Sequence, residues 1–236
     1  MADVLVFSPH PDDAEINCGA TIARHARLGA TVALVDATRG ELGSRGTADE
    51  RAREAAEAGA VLGLASRENL GLRDGHLQRD DLGARSAIVD AIRRHRPGVV
   101  LCLHGHARHP DHQALAVLVG SAIKAAALHQ LSTPSGAPAV AGARLWFYEA
   151  ELRIAPDFLV PASDEDWARK MAAIRCYASQ LHQAGPGLPE TTIARPDFLA
   201  HVELRGRTWG REAGAPYAEA FARCHDTPRM ADLRDA

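Results

Sequence analysis

Two four-residue runs constrain this chain more than anything else in it: His10-Pro11-Asp12-Asp13 and His109-Pro110-Asp111-His112. Each stands between a strand-like apolar run and a helix-like one. Val4-Leu5-Val6-Phe7 leads into the first, and Val99-Val100-Leu101-Cys102-Leu103 into the second. Short continuous apolar runs of this kind suit strands buried on both faces of a parallel sheet. In open α/β sheets, ligands bind just beyond the carboxyl ends of the strands. Two such runs at neighbouring strand ends would converge on one cleft. Three histidines and three carboxylates would then face each other, a donor set suited to a metal site with its own acid–base groups.

The surrounding pattern predicts which fold carries them. Residues 14–28 place Ile16, Ala20, Ile22, Ala23 and Ala26 at helical spacing, with Gly29 as a C-cap glycine. A second strand is expected at 31–38, then a glycine-rich loop at 39–46. Thr47 and Glu50 form a capping box for a helix running to about Gly63. A short third strand is expected at 69–71, a helix at 81–95 stopped by Pro97, a strand at 99–103, and the longest helix from Asp111 to about Leu131. This order predicts an α/β fold with a Rossmann-like, mostly parallel sheet and helices on both faces. Residues 133–142 read as a surface linker. Strands at 144–151 and 158–160, a helix at 165–181 and a Gly/Pro-rich loop at 183–190, placed to cover a cleft, complete the reading.

Composition narrows the class. Of the 236 residues, 46% are hydrophobic, enough for a substantial core, and one domain over 1–236 is the default. The net charge of −3, without a basic patch, argues against nucleic acid as a partner. No apolar run approaches the ~20 residues of a membrane span; residues 114–128 are short and broken by Lys124. The N-terminus enters a strand directly, without the basic and apolar regions of a signal peptide. The cysteines at 18, 102, 176 and 224 form no CxxC pair and read as reduced thiols. A soluble cytoplasmic protein is expected, acting on a small molecule; a homo-oligomer is compatible with the sequence but not indicated by it.

The motifs carry the chemistry. A hydrolytic metal site needs about three protein ligands and one open position. Asp12 and Asp13 are neighbours and cannot point the same way, so one can ligate while the other stays free as a general base. His109 and His112 lie three apart, on one side of a helical turn. One can bind metal and the other can stand across the substrate carbonyl, with Asp111 available to orient an imidazole. Taken singly, Asp13 or Asp111 could be no more than an N-cap. That explanation does not cover both motifs at both strand ends.

With these residues in view, the chain resembles the LmbE-like (PIG-L) N-acetylglucosaminide deacetylases. The resemblance is carried by Pro9 to Glu15 (PHPDDAE) before a helix, by the loop Thr38 to Thr47 (TRGELGSRGT) with Arg51 four residues later, and by Arg108 to His112 (RHPDH). It runs from residue 3 to about 128 and continues weakly through 178–181 and 216–221. Within the superfamily the chain is most similar to the N-acetyl-α-D-glucosaminyl-L-malate deacetylases of bacillithiol biosynthesis. The resemblance implies His10, Asp13 and His112 as metal ligands and Asp12 as the general base. It implies that His109 stabilises the oxyanion or protonates the leaving amine, and that Asp111 holds an imidazole in its working tautomer. Arg51 and Arg108 match positions that contact the substrate, and a guanidinium can bind a carboxylate bidentately.

Two departures stand out. Cys18-Gly19-Ala20 has one glycine where many relatives have two, and Phe198 stands at the rough match to a tyrosine that some relatives place near the metal. Zn2+ is the first choice of metal because it assists hydrolysis without redox chemistry; two His and one Asp also suit Fe2+. Other substrates in the superfamily are a mycothiol precursor and chitobiose-type sugars. Two further classes compete. In a nucleotide-binding Rossmann protein the glycines of 39–46 would need GxGxxG spacing after the first strand, which is absent. A non-catalytic sugar-binding protein would have no need of a free Asp12.

Overall fold

The structure is a computed structural model and describes residues 1–182 and 189–224. Strands and helices alternate strictly through β1 (Val4–Ser8), α1 (Asp13–Arg27), β2 (Val32–Thr38), α2 (Ala48–Leu62), β3 (Ser66–Leu72), α3 (Leu82–His95), β4 (Val99–Leu103), α4 (Pro110–Ala126) and β5 (Arg144–Tyr148). Then come β6 (Phe158–Ala162), α5 (Asp164–Cys176), α6 (Phe198–Ala213) and β7 (Tyr217–Arg223). The strands form one sheet in the order β3-β2-β1-β4-β5-β7-β6. β3 to β5 are mutually parallel, and β7 runs antiparallel between β5 and β6.

This order positions the site. The chain steps outward from β1 to β3, then returns to the far side of β1 with β4. Right-handed crossovers put α1 and α2 on one face and α3 and α4 on the other. Packing agrees: α1 and α2 pack with α5, and α3 packs with α4. β1 and β4 therefore lie side by side at the point where the strand order reverses, with Phe7 opposite Cys102. Both motifs leave the carboxyl ends of these two strands, at the switch point where such sheets bind ligands.

The central strands are as apolar as their burial requires: Leu5, Val6, Phe7, Leu34, Val35, Val100 and Cys102 are fully buried. β3 is an edge strand and longer than expected. Its first residues are Ser66, Arg67, Glu68 and Asn69, which hide a strand from any apolar pattern. α1 follows the expected span but breaks at Cys18 (φ −138°, ψ 20°). The amides of Ala20 and Thr21 donate to the Glu219 carboxylate at 3.1 and 2.7 Å, and Lys170 Nζ pairs with it at 2.6 Å. The capping box of α2 forms, and Gly63 ends that helix at φ 78°.

α4 stops at Ala126, short of Leu131. The Arg93 guanidinium takes the carbonyls of Ala126, Leu128 and Leu131 at 3.1, 2.6 and 2.6 Å, ending the helix with a cation at its negative pole. α5 ends at Cys176 rather than 181, and the residues beyond serve as an anchor described below. Residues 133–142 are irregular, as expected of a linker. Within the loop at 183–190, residues 183–188 lie outside the described residues. The four cysteines are free thiols. Among the described residues no helix is long and apolar enough to cross a membrane.

Candidate active site

After β1, the Ser8 hydroxyl donates to the His10 carbonyl at 2.7 Å and tightens the turn. The turn holds Asp12 at φ 112°, ψ −33°, a conformation costly for any residue but glycine. Asp12 occupies the N-cap of α1 yet makes no side-chain cap bond. Its Oδ2 instead accepts from Arg51 Nη2 at 2.9 Å. Asp13 turns to the imidazoles: its Oδ2 lies 3.0 Å from His10 Nδ1 and 3.2 Å from His112 Nε2. The neighbouring carboxylates have parted, one to an arginine and one to two histidines.

In the second motif Pro110 opens α4, and His109 is the N-cap, its Nδ1 accepting from the Asp111 amide at 3.2 Å. A ring nitrogen that accepts carries no proton, so the neutral His109 ring bears its proton on Nε2. His112 follows one helical turn later and is buried. Asp111 is fully buried and accepts from the amides of Gly75 and Leu77 at 2.7 and 3.2 Å. Its Oδ2 is 3.5 Å from His10 Nε2, so the imidazole it faces is that of His10.

The residues fit a divalent cation. His10, Asp13 and His112 are all buried and each offer one ligand atom, with these atoms within 4.8 Å of one another. A second grouping of His10, His109 and Asp111 meets the same spacing. It shares His10, and His109 already gives one nitrogen to the helix amide. Among the described residues, Asp12, Asp13, Asp74, Asp111 and Glu151 stand around the site, against Arg51 and Arg108. Of these carboxylates Asp12, Asp13, Asp74 and Asp111 are buried, and buried carboxylates in such excess call for a cation. The proton affinities of the donor set answer to the same pull. Burial alone would lower His10, but Asp111, Asp13 and Asp74 hold it well above the usual histidine range. Burial would likewise lower His112, and Asp13 outweighs it. Burial would raise Asp13, yet His112 and His10 hold it well below the usual carboxylate range.

Asp12 and His109 go the opposite way. Burial pushes Asp12 up to about 7, against the pull of Arg51. Burial, and then the neighbouring His10 and His112, lower His109. Near neutral pH the site therefore pairs a half-ionised carboxyl with a neutral imidazole that donates from Nε2.

The two arginines are placed differently from each other. Arg51 is buried, and besides Asp12 it donates from Nη2 to the Pro11 carbonyl and from Nη1 to the Gly40 carbonyl at 3.2 Å. A Cβ at Gly40, whose φ is +65°, would collide with this guanidinium. Arg51 thus holds the Asp12 carboxyl and the glycine-rich loop, and its guanidinium does not stand free. Arg108 is exposed and pairs through Nε with Glu151 Oε2 at 3.2 Å. Phe198 begins α6 and lines an open cavity of about 370 Å3 with Leu181, His182 and Arg195; no motif residue lines that cavity.

Two carboxylates reach the site without having been expected there. Asp74 Oδ1 lies 3.0 Å from His10 Nε2, and its other oxygen accepts from the Leu42 amide at 2.8 Å. Glu151 Oε1 lies 3.1 Å from His112 Nδ1. Asp74-Gly75 reads in sequence only as a turn, and Glu151 only as the end of a strand. The glycine-rich loop is itself latched by buried Arg45, which donates to the carbonyls of Ser179 and Leu181 at 3.2 and 3.0 Å beyond α5.

A family model for PIG-L, the GlcNAc-PI de-N-acetylases, matches residues 5–123, the span that contains both motifs. The chain belongs to the PIG-L family. A 1D-myo-inositol 2-acetamido-2-deoxy-α-D-glucopyranoside deacetylase 2 of Saccharopolyspora erythraea is 31% identical, over 86% of this chain and 93% of its own. A probable N-acetyl-α-D-glucosaminyl L-malate deacetylase 2 of Bacillus anthracis is 29% identical, over 75% of this chain and 81% of its own. Among solved structures, the conserved protein TT1542 of Thermus thermophilus matches with a TM-score of 0.85 and 37% identity, over 98% of both chains. This likeness to TT1542 extends through α6 and β7, beyond the span of the family model.

Proposed function

We propose that this PIG-L family deacetylase hydrolyses the acetamide of an N-acetylglucosamine conjugate, releasing acetate and the free amine, with Asp12 as its base. The observation that carries the reading is the parting of Asp12 from Asp13. Asp13 joins His10 and His112 as a ligand set, while Asp12 keeps a carboxyl near neutrality beside them. A Zn2+ or Fe2+ held by that set would supply Lewis acidity and make water a better nucleophile at neutral pH.

The chain's own groups do the rest. Asp12 accepts a proton as water attacks the acetamide carbon. The His109 Nε2–H donates to the oxyanion that forms; losing such a donor costs about 100- to 1,000-fold in rate. A neutral imidazole is a poor proton source, so the proton for the departing nitrogen comes from Asp12, which has just received one. The carbon–nitrogen bond breaks, and Asp12 is left ionised for the next turnover.

For the aglycone, our first choice is L-malate. Arg108 presents an exposed guanidinium immediately before His109, and a guanidinium can bind a carboxylate bidentately. The second reading is an inositol conjugate, favoured by the likeness to the Saccharopolyspora deacetylase. Acetate and amine release should be measured on the malate conjugate, the inositol conjugate and free N-acetylglucosamine, with Zn2+ or Fe2+ added. Turnover of the malate conjugate up to about fivefold above free N-acetylglucosamine is expected, since an exposed pair of this kind is worth at most about 1 kcal/mol. No acetate from any of the three would refute the deacetylase reading; a preference for inositol would replace the aglycone alone.

A further inference from the structure

Glu151 touches both halves of the site and belongs to neither motif. Its Oε1 lies 3.1 Å from His112 Nδ1, the nitrogen opposite the one that faces Asp13. Its Oε2 accepts from both the amide and Nε of Arg108, each at 3.2 Å. His112 Nδ1 is buried and has no aligned hydrogen-bond partner, so Glu151 stands at ion-pair range without yet being in line with the ring. The carboxylate is therefore shared between a buried imidazole and an exposed guanidinium.

The backbone around Glu151 is fixed. The Glu149 amide donates to the Ala220 carbonyl at 3.0 Å, and the Glu149 side chain accepts from Trp209 Nε1 at 2.8 Å. Arg205 donates to the Ala150 carbonyl at 2.8 Å and to Ile16 O and Asn17 Oδ1, both at 3.0 Å. Asn17 Nδ2 in turn donates to the Asp13 carbonyl at 2.8 Å. The segment that carries Glu151 is thus tied to the helix that carries Asp13. With the backbone held, the freedom left at Glu151 lies in its side chain and in which cation it serves.

We propose that Glu151 is a positioning residue for His112, and that an anionic group on the substrate takes Arg108 from it, coupling aglycone charge to the metal ligands through this one carboxylate. The coupling half rests on the deacetylase reading above; the positioning half does not. A histidine ligand commonly gives its second N–H to a carboxylate, which fixes the tautomer and raises its basicity, and losing that partner costs about 10- to 100-fold in metal affinity. The exposed Arg108–Glu151 pair is easily exchanged, because such pairs are worth at most about 1 kcal/mol. A carboxylate arriving at Arg108 would leave Glu151 free to align on His112. By linkage, the metal must then favour anion binding by the same factor that the anion favours metal binding.

The test measures Zn2+ affinity of the metal-stripped full chain by chelator competition, with and without L-malate, in the parent, Glu151→Gln, Glu151→Asp and Arg108→Ala. Glu151→Gln should weaken Zn2+ binding about 10- to 100-fold, with an unchanged melting temperature before Zn2+ is added. Glu151→Asp should recover part of the loss, and Arg108→Ala, which frees Glu151 for His112, should bind Zn2+ more tightly than the parent does without L-malate. L-malate should tighten Zn2+ binding in the parent more than in Arg108→Ala or Glu151→Gln; the Arg108→Ala value is the baseline for malate meeting the ion directly. Parental Zn2+ affinity in Glu151→Gln would overturn the positioning role. An equal malate effect in parent and Arg108→Ala would overturn the coupling. Neither readout needs turnover, so both stand apart from the acetate assay.

Discussion

Replacing Arg51 with Ala should move the pH profile and leave the substrate preference alone. Arg51 Nη2 lies 2.9 Å from Asp12 Oδ2, with 6% and 5% of the two side chains exposed. Burial pushes the Asp12 carboxyl up to about 7, and Arg51 is the strongest influence holding it down. An opposite charge at this range lowers a carboxyl by about 1–3 pKa units. Removing it should therefore raise the acid limb of kcat/KM by about 1–3 pH units. A base that was half ionised at pH 7 then becomes about 9% to 0.1% ionised, a loss of about 5- to 500-fold at that pH. Asp12 avoids the cost of an unpaired buried charge by taking a proton, so the fold should survive. A bound cation would lower Asp12 in parent and variant alike, which makes the difference between the two profiles the quantity to read.

The assay is kcat/KM against pH on the malate conjugate and on free N-acetylglucosamine. Both should lose activity together at pH 7 and recover together toward alkaline pH, and Arg51→Lys should fall between parent and Arg51→Ala. A loss confined to the malate conjugate, with the acid limb unmoved, would refute the reasoning and return Arg51 to the substrate carboxylate.

Other expectations follow from the same contacts. Asp12→Asn should retain its metal, measured by elemental analysis, and lose at least about 100-fold in turnover, because an amide cannot accept the water proton. His109→Ala should also keep its metal while kcat falls by about 100- to 1,000-fold. Gly206→Ala should lower stability to urea by about 1–3 kcal/mol, since a Cβ there would collide with the Trp167 ring. Asp166 should stabilise the fold only above acid pH. Burial would raise its carboxyl, but the Arg27 and Ser163 hydrogen bonds hold it at about 2. Its folded pKa lies below its unfolded one, so its contribution of about 1–2 kcal/mol, discounted for the solvent-facing Arg27, is complete above about pH 4 and is lost as pH falls through 2. Asp166→Asn should therefore be less stable than the parent at neutral pH and approach it only below about pH 2; a constant difference across that range would show that the pair's charge is not the cause.

The fold was legible where one physical cause governed a segment. β1, β2 and β4 are buried on both faces, so they are written almost wholly in apolar residues, with Ser8, Asp36 and Thr38 toward their carboxyl ends. The Thr47–Glu50 capping box and Gly63 marked both ends of α2, because an unpaired amide and a left-handed turn each favour few residue types. Legibility failed where tertiary contacts replaced local signals. β3 carries Arg67, whose guanidinium is buried against Asp36 and Glu15 at 2.7 and 2.5 Å, and a salt-bridged strand has no apolar alternation to read. α4 ends where Arg93 from α3 reaches its carbonyls, a stop placed by another helix. α6 and β7 were not anticipated as elements, since their buried positions answer to the antiparallel edge of the sheet rather than to the βα alternation before it.

The site divides along the same line. His10, Asp12, Asp13, His109, Asp111 and His112 sit in two runs at two strand ends, and topology alone brings the runs together. What each residue does there depends on groups that approach from elsewhere. Arg51, carried by α2, holds the Asp12 carboxyl near 7 against a burial that would push it higher. Asp74 and Asp111 face the far nitrogen of His10, and Glu151 faces the far nitrogen of His112. Asp74 sits in a turn and Glu151 in a bend three residues beyond β5, where an acidic residue is a common and uninformative choice for a sequence to make. A motif can therefore name the atoms that meet a substrate or an ion, while their protonation is set by residues that no local pattern distinguishes. Two chains sharing both four-residue runs but differing at positions 74, 51 or 151 should then hold the same donor set and differ in the pH at which it works.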